Sequence, residues 1–257
     1  MVEFESYLPG TPSWVDLSSP DLSGAKAFYG ALFGWAATEG SPEAGGYCMF
    51  QKQGKNVAGL GPVMDPAQAP AWMTYVSVHD VDATMAKVGA HGGTTLVAPM
   101  DVLDVGRMAV FLDPTGAALA LWQPRAHIGA DLANEPGTFT WNELQTRDTA
   151  AAAVFYGAVF GWGAASREDG YLTYTEWNRG GDSVGGMMDM PSEMPPQIPA
   201  YWLVYFAVED CDASVTRATE LGGATLLDPM DMAPGRFAVL SDPTGAVFAV
   251  IAMHGTG

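Results

Sequence analysis

The sequence predicts an α+β fold built from tandem βαβββ modules, two per domain and four in the chain. Three observations predict it. "FYGALFGW" at 28–35 returns as "FYGAVFGW" at 155–162 with seven of eight letters unchanged. Around that phrase, "WVDLSSPDLSGAKAFYGALFGW" (14–35) aligns without a gap on "WNELQTRDTAAAAVFYGAVFGW" (141–162), identical at 11 of 22 positions. Further on, "YVSVHDVDATMAKVGAHGGTTLVAPMD" (75–101) and "GRMAVFLDPTGAALALW" (106–122) return at 205–231 and 235–251. Each half is therefore a copy of the other. The expected division is a first domain over 1–126, a second over 138–257, and a linker over 127–137, in a stretch rich in Pro, Gly and Ala.

The elements follow in order. Trp14 to Leu17 reads as a short strand. Asp21 supplies an N-cap, and Ala25, Phe28, Tyr29 and Leu32 recur at helical spacing until Gly34 ends the helix. "YCMFQKQG" and "NVAGLGPV" read as a hairpin turned about Gly54 and Lys55. "MTYVSV" is the next strand, and Asp80 caps a helix running to about Ala90. "TTLVAPM", "RMAVFL" and "AALALW" are three further strands. The last two are joined by "DPTG", with Pro at i+1 and Gly at i+3 of the turn.

Composition narrows the function. Hydrophobic residues make up 48% of the 257 and charged residues 16%, as in a core-forming globular chain. A net charge of −18, from 29 acidic and 11 basic residues, argues against nucleic acid and against an anionic membrane surface. The start, "MVEFESYLPGTPSW", lacks a basic segment followed by an apolar run, and no apolar stretch approaches the ~20 residues of a membrane span. A cytoplasmic protein is expected, monomeric or homodimeric. Cys48 and Cys211 occupy non-equivalent places in the repeat and read as buried apolar residues. Nucleotide loops and a nucleophile elbow are missing, so neither phosphate binding nor acyl transfer is indicated.

The order of the modules, the helix ending in "FYGALFGW" and the closing strand "DPTGAALALW" resemble the vicinal oxygen chelate superfamily. That superfamily includes glyoxalase I, extradiol dioxygenases, fosfomycin-resistance proteins and bleomycin-binding proteins. The opening "TPSWVDL" also resembles a group of two-domain actinomycete proteins, hydroxylase-like or glyoxalase-like, some from pathways for aromatic polyketide antibiotics such as daunorubicin. The resemblance implies that each domain is a curled mixed sheet forming a cup, with helices outside. It also implies where a divalent metal would be held. One ligand would stand seven residues before each capping Asp, and one four residues after the Gly of "DPTG". Those six positions hold Trp14, Met73, Ala120, Trp141, Leu203 and Ala249. None carries an imidazole, amide or carboxylate donor. Metal and other cofactors are therefore not expected.

The strand alternation then suggests what the cups hold instead. Trp14 with Asp16, Met73 with Tyr75, and their counterparts Trp141 with Glu143 and Leu203 with Tyr205, would line the cups. Arg107, Trp122 and Arg236 would join them. Apolar walls with a few polar groups suit a planar, partly polar small molecule, and the expected partner is an aromatic metabolite. Duller readings stay open. The tryptophans could plug the cups, the tyrosines could be core residues, the arginines rim charges, and the carboxylates could pair with Arg107 or Arg236. Met100, Met230 and Met232 read as adaptable packing or as a ligand-facing lip. The leading expectation is metal-independent binding of an aromatic metabolite, for sequestration, resistance or an auxiliary role in secondary metabolism. The alternative is a metal-free isomerase, cyclase or cofactor-independent oxygenase with Asp16 or Glu143 as base. Metal-dependent glyoxalase or dioxygenase chemistry ranks below both.

Overall fold

The computed structural model describes residues 3–40, 42–169 and 172–254, so the expected outer domain limits at 1 and 257 lie outside the described residues. The first module comprises β1 (Pro12–Ser19), α1 (Leu22–Phe33), β2 (Ala36–Ala37), β3 (Cys48–Lys52) and β4 (Lys55–Pro62). The second comprises β5 (Ala71–Ser77), α2 (Val81–Ala90), β6 (Thr94–Val102), β7 (Gly106–Leu112) and β8 (Ala118–Pro124). The other half repeats the order. Its third module has β9 (Phe139–Thr146), α3 (Thr149–Phe160), β10 (Gly163–Asp169), β11 (Leu172–Arg179) and β12 (Asp182–Asp189). Its fourth has β13 (Tyr201–Ala207), α4 (Cys211–Glu220), β14 (Ala224–Met232), β15 (Gly235–Ser241) and β16 (Val247–Met253).

Each domain is one eight-stranded mixed sheet, ordered β2-β3-β4-β1-β5-β8-β7-β6 and β10-β11-β12-β9-β13-β16-β15-β14. Within a module the first strand pairs parallel with the last, placing Asp16 opposite Gly59 and Tyr75 opposite Ala120. Between modules β1 and β5 run antiparallel, so Trp14 faces Tyr75 and Asp16 faces Met73. Glu143 likewise stands between Gly186 and Leu203, and Trp141 faces Tyr205. Register alone thus gathers Trp14, Asp16, Met73 and Tyr75 onto two central strands of the first sheet, and Trp141, Glu143, Leu203 and Tyr205 onto two of the second.

All four helices start on an aspartate, Asp21, Asp80, Asp148 or Asp210, whose carboxylate accepts the N–H of the third residue on at 2.9 Å. Gly34 and Gly161 close α1 and α3 at φ 73°, a conformation that costs glycine little. The first hairpin differs by one position from expectation. Its turn falls on Gln53 and Gly54, at φ 52° and 78°, because both central residues of so tight a turn must be left-handed, and Lys55 already begins β4. The two-residue β2 escaped the sequence reading; its counterpart β10 is seven residues long.

The repeated "FYG" phrase joins the domains. Phe28 and Tyr29 of α1 pack on Phe248 of β16, and Phe33 on Phe206 of β13. The reciprocal contact sets Phe155 of α3 against Phe111 of β7. Each pair of this kind adds roughly 0.5–1.5 kcal/mol beyond its buried area. Tyr29 donates its hydroxyl proton to Asp242 (3.2 Å), and Tyr156 donates to Asp113 (2.7 Å). Both aspartates belong to the "DPTG" turn of the opposite domain, where the other carboxylate oxygen fixes the turn through Thr115 and Ala117 or Thr244 and Ala246. The helix thus packs on the neighbouring domain's sheet, beyond the local packing that periodicity indicates. Cys48 and Cys211 are buried and free. Among the described residues, no helix is long and apolar enough to cross a membrane.

Candidate functional site

Both cups carry the same chain of polar contacts at their base. In the first domain, Trp14 Nε1–H donates to the Tyr47 hydroxyl (3.0 Å). The hydroxyls of Tyr47 (3.2 Å) and Tyr75 (2.9 Å) both donate to Asp16 Oδ2. In the second, Trp141 Nε1–H donates to the Tyr174 hydroxyl (2.8 Å). Glu143 Oε1 accepts from Tyr205 (3.0 Å) and from Gln145 Nε2 (2.6 Å), and the Tyr174 hydroxyl also bonds to this carboxylate. Both carboxylates are buried. Gly59 and Gly186, the parallel partners of Asp16 and Glu143, make room for this. A Cβ on Gly186 would lie 1.9 Å from the Tyr174 hydroxyl, and one on Gly59 1.8 Å from that of Tyr47.

Burial dominates the electrostatics. It raises the Asp16 pKa to about 6 and that of Glu143 to about 7, against the opposing pull of the tyrosine hydrogen bonds. The phenols of Tyr47, Tyr75, Tyr174 and Tyr205 are raised by burial and by the adjacent carboxylate, so they remain donors at neutral pH. Glu143 therefore sits near its midpoint at pH 7 and both gives and takes a proton readily.

The cups differ above this shared base. In the second domain a cavity of about 350 Å³ opens over Trp141, Glu143, Tyr174 and Tyr205. Arg167 and Glu176 line it from β10 and β11, Ile251 and Met253 from β16, and Met232, Ala233 and Pro234 from around the β14–β15 turn. In the first domain the corresponding space is filled. Trp122 stands where the second domain has Ile251, and the imidazole of His127 lies 4.6 Å from the Trp14 ring and 5.6 Å from the Trp122 ring. Trp14 is accordingly only 3% exposed. Met73 packs at the edge of that cluster, and Leu203 and Tyr205 are buried together with Ala249 and Ile251.

Two expectations need correcting. Arg107 and Arg236 do not line the cups. Alternation along β7 puts Arg107 on the helix side with Ala109 and Phe111, where it pairs with Asp82 (2.9 Å) and Asp101 (3.3 Å). Arg236 pairs with Asp212 (2.6 Å) and Asp231 (3.4 Å) in the same way. The arginine of the second cup is Arg167, its guanidinium 5.4 Å above the Tyr174 ring. The second correction concerns His127, expected in the linker and found in the first cup. Met232 lines the second cavity, whereas Met100 and Met230 are exposed. Tyr47 and Tyr174 were also missed, although each lies 33 residues after the tryptophan that donates to it. Extending the gapless repeat past the helix would have found them.

A divalent metal does not fit this donor set. Trp14, Met73, Ala120, Trp141, Leu203 and Ala249 offer no hard donor, and Glu143 is already engaged by hydroxyl and amide protons. Glu176 on the wall accepts the Ser183 hydroxyl proton. Among the described residues no group of three His, Cys, Asp or Glu side chains is placed to hold a metal ion.

Comparison with known proteins gives the family. Residues 11–121 match the Glyoxalase/Bleomycin resistance protein/Dioxygenase superfamily, and residues 141–251 match the glyoxalase-like domain. A relative from Mycobacterium tuberculosis, named "Putative glyoxylase CFP32", is 44% identical over 98% of both chains. The chain belongs to the glyoxalase superfamily. The anthracycline biosynthesis protein DnrV of Streptomyces peucetius is 41% identical, covering 96% of this chain and 95% of its own. Among solved structures, the Mn(II)-bound glyoxalase of Novosphingobium aromaticivorans superposes with a TM-score of 0.67 at 16% identity, over 95% of this chain and 82% of that one. The 2,3-dioxygenase LapB of Pseudomonas sp. KL28 gives 0.64 at 15%, over 94% and 91%. At such identities these structures share the fold alone with this glyoxalase-superfamily chain.

Proposed function

We propose that this protein binds a planar, partly polar aromatic metabolite in the second-domain cup, without a metal. The observation that carries the proposal is the open cavity over Trp141, Tyr174, Tyr205 and Glu143. Its walls are mostly apolar and aromatic, with Arg167 and Glu176 on one side, and its base holds one carboxyl able to meet a phenol or enol hydroxyl. The size suits two or three fused rings. The kinship with an anthracycline biosynthesis protein supports a polyketide-like occupant in an auxiliary or protective role. Titration with hydroxylated anthraquinones, read by tryptophan quenching, tests it. Saturable quenching is expected, and its absence across the panel would sink the proposal.

A second reading has its own support. A carboxyl held near pKa 7 beside two phenols is suited to take a proton from a carbon or hydroxyl acid, with the tyrosine hydroxyls stabilising the resulting oxyanion. This would serve an isomerisation or cyclisation. Glu143→Gln turning over a substrate at the wild-type rate would exclude it. Asp16 is set aside for this role because His127 stands over the first cup.

A further inference from the structure

The first-domain cup is occupied by the chain itself. After β8 the backbone turns back over the cup mouth. The N–H groups of Arg125 and His127 donate to the Val105 carbonyl (3.1 and 3.0 Å), and the Ala130 N–H donates to the Ser13 carbonyl (2.8 Å). Trp122 Nε1–H donates to the His127 carbonyl (2.8 Å). Gly129, at φ 118°, brings the segment so close to β1 that a Cβ there would lie 2.4 Å from the Ser13 oxygen. These contacts hold the His127 imidazole edge-on to Trp14, at an interplanar angle of 85°.

Two features distinguish this ring from packing filler. Its Nε2 is buried and has no hydrogen-bond partner, a penalty an apolar side chain of similar size would avoid. Beneath it lies the same Trp–Tyr–carboxylate–Tyr arrangement found under the open cavity of the second domain. Burial keeps the imidazole uncharged, with its pKa down to about 4, so the cup holds a neutral planar ring.

We propose that the first cup is a binding site of the same construction as the second, self-occupied by the tethered His127 imidazole. Its free ligand class is a small, uncharged azole or similar planar ring. This proposal does not depend on which metabolite the second cup takes, since its probe is imidazole and its reporter is Trp14.

The experiment empties the cup. His127→Gly, in the full chain, should lower Tm by roughly 5–10 °C. Free imidazole, added at a pH where it is uncharged, should restore at least half of that loss saturably and change tryptophan emission. Wild type should show no saturable response. His127→Phe should melt at or above wild type, since an apolar ring fills the same space without an unpaired nitrogen, and should ignore imidazole. If His127→Gly or the stiffer His127→Ala folds only with imidazole present, the proposal is supported as well. An imidazole response no larger than that of wild type overturns it, as does a variant that imidazole neither binds nor refolds.

Discussion

Replacing Glu143 by Gln separates stability from function at the second cup. The Glu143 carboxyl is 1% exposed and accepts from Tyr205 and Gln145. Burial lifts its pKa from 4.5 to about 7. The unfolded chain loses this proton near pH 4.5, whereas the folded chain keeps it to about pH 7. The folded state therefore binds more protons in that window, and stability is lost as pH rises through it. At about 1.4 kcal/mol per pH unit, the cost is near 1 kcal/mol at pH 5 and about 3 kcal/mol at pH 8. Gln keeps the acceptor oxygen and the shape without ionising. Glu143→Gln is therefore expected to melt roughly 6–12 °C above wild type at pH 8, and only about a third as far above it at pH 5. Thermal unfolding of both proteins at the two pH values checks this. An equal difference at both pH values, or a variant less stable at pH 8, would refute the assignment of a burial-raised carboxyl. The same variant should bind hydroxylated ligands at least about tenfold more weakly, because a neutral amide oxygen accepts a hydroxyl proton less strongly than a carboxylate.

Other substitutions test the remaining parts. Gly186→Ala places a methyl 1.9 Å from the Tyr174 hydroxyl and 2.9 Å from Trp141 Nε1, so ligand titration should show second-cup affinity falling at least about tenfold while the circular dichroism of the fold persists. Tyr156→Phe removes the donor to Asp113 and the acceptor of Trp202 Nε1–H, both buried; a cost of about 2 kcal/mol is expected, seen as a Tm lower by roughly 4–8 °C. Arg236→Ala, on the helix side of the sheet, should shift Tm by no more than about 2 °C and leave ligand titration unchanged.

Much of the fold was written in the repeat. Gapless alignment located the duplication, four helix caps and the strands that carry Trp14, Asp16, Trp141 and Glu143, because caps and alternation are local. Arg107 and Arg236 went astray because strand ends give no sign of which face is the cup; the acidic first turns of α2 and α4, with Asp82 and Asp212, were the missing cue. His127 was illegible for a different reason. Its place depends on how residues 125–130 fold back over β1, a tertiary contact that no periodicity reports. The difference between the cups was half legible: Trp122 aligns with Ile251, and a large residue facing a small one changes the space available. The role of Tyr29 and Tyr156 in clasping the opposite domain was likewise hidden, since both sit on the apolar face of a helix.

Calorimetric titration of the wild-type chain and of Trp141→Ala with one hydroxylated anthraquinone addresses the second cup most directly. One ligand per chain is expected for wild type, with affinity reduced at least about tenfold in Trp141→Ala. Two equal sites per chain, or an affinity indifferent to the loss of Trp141, would contradict binding in that cup.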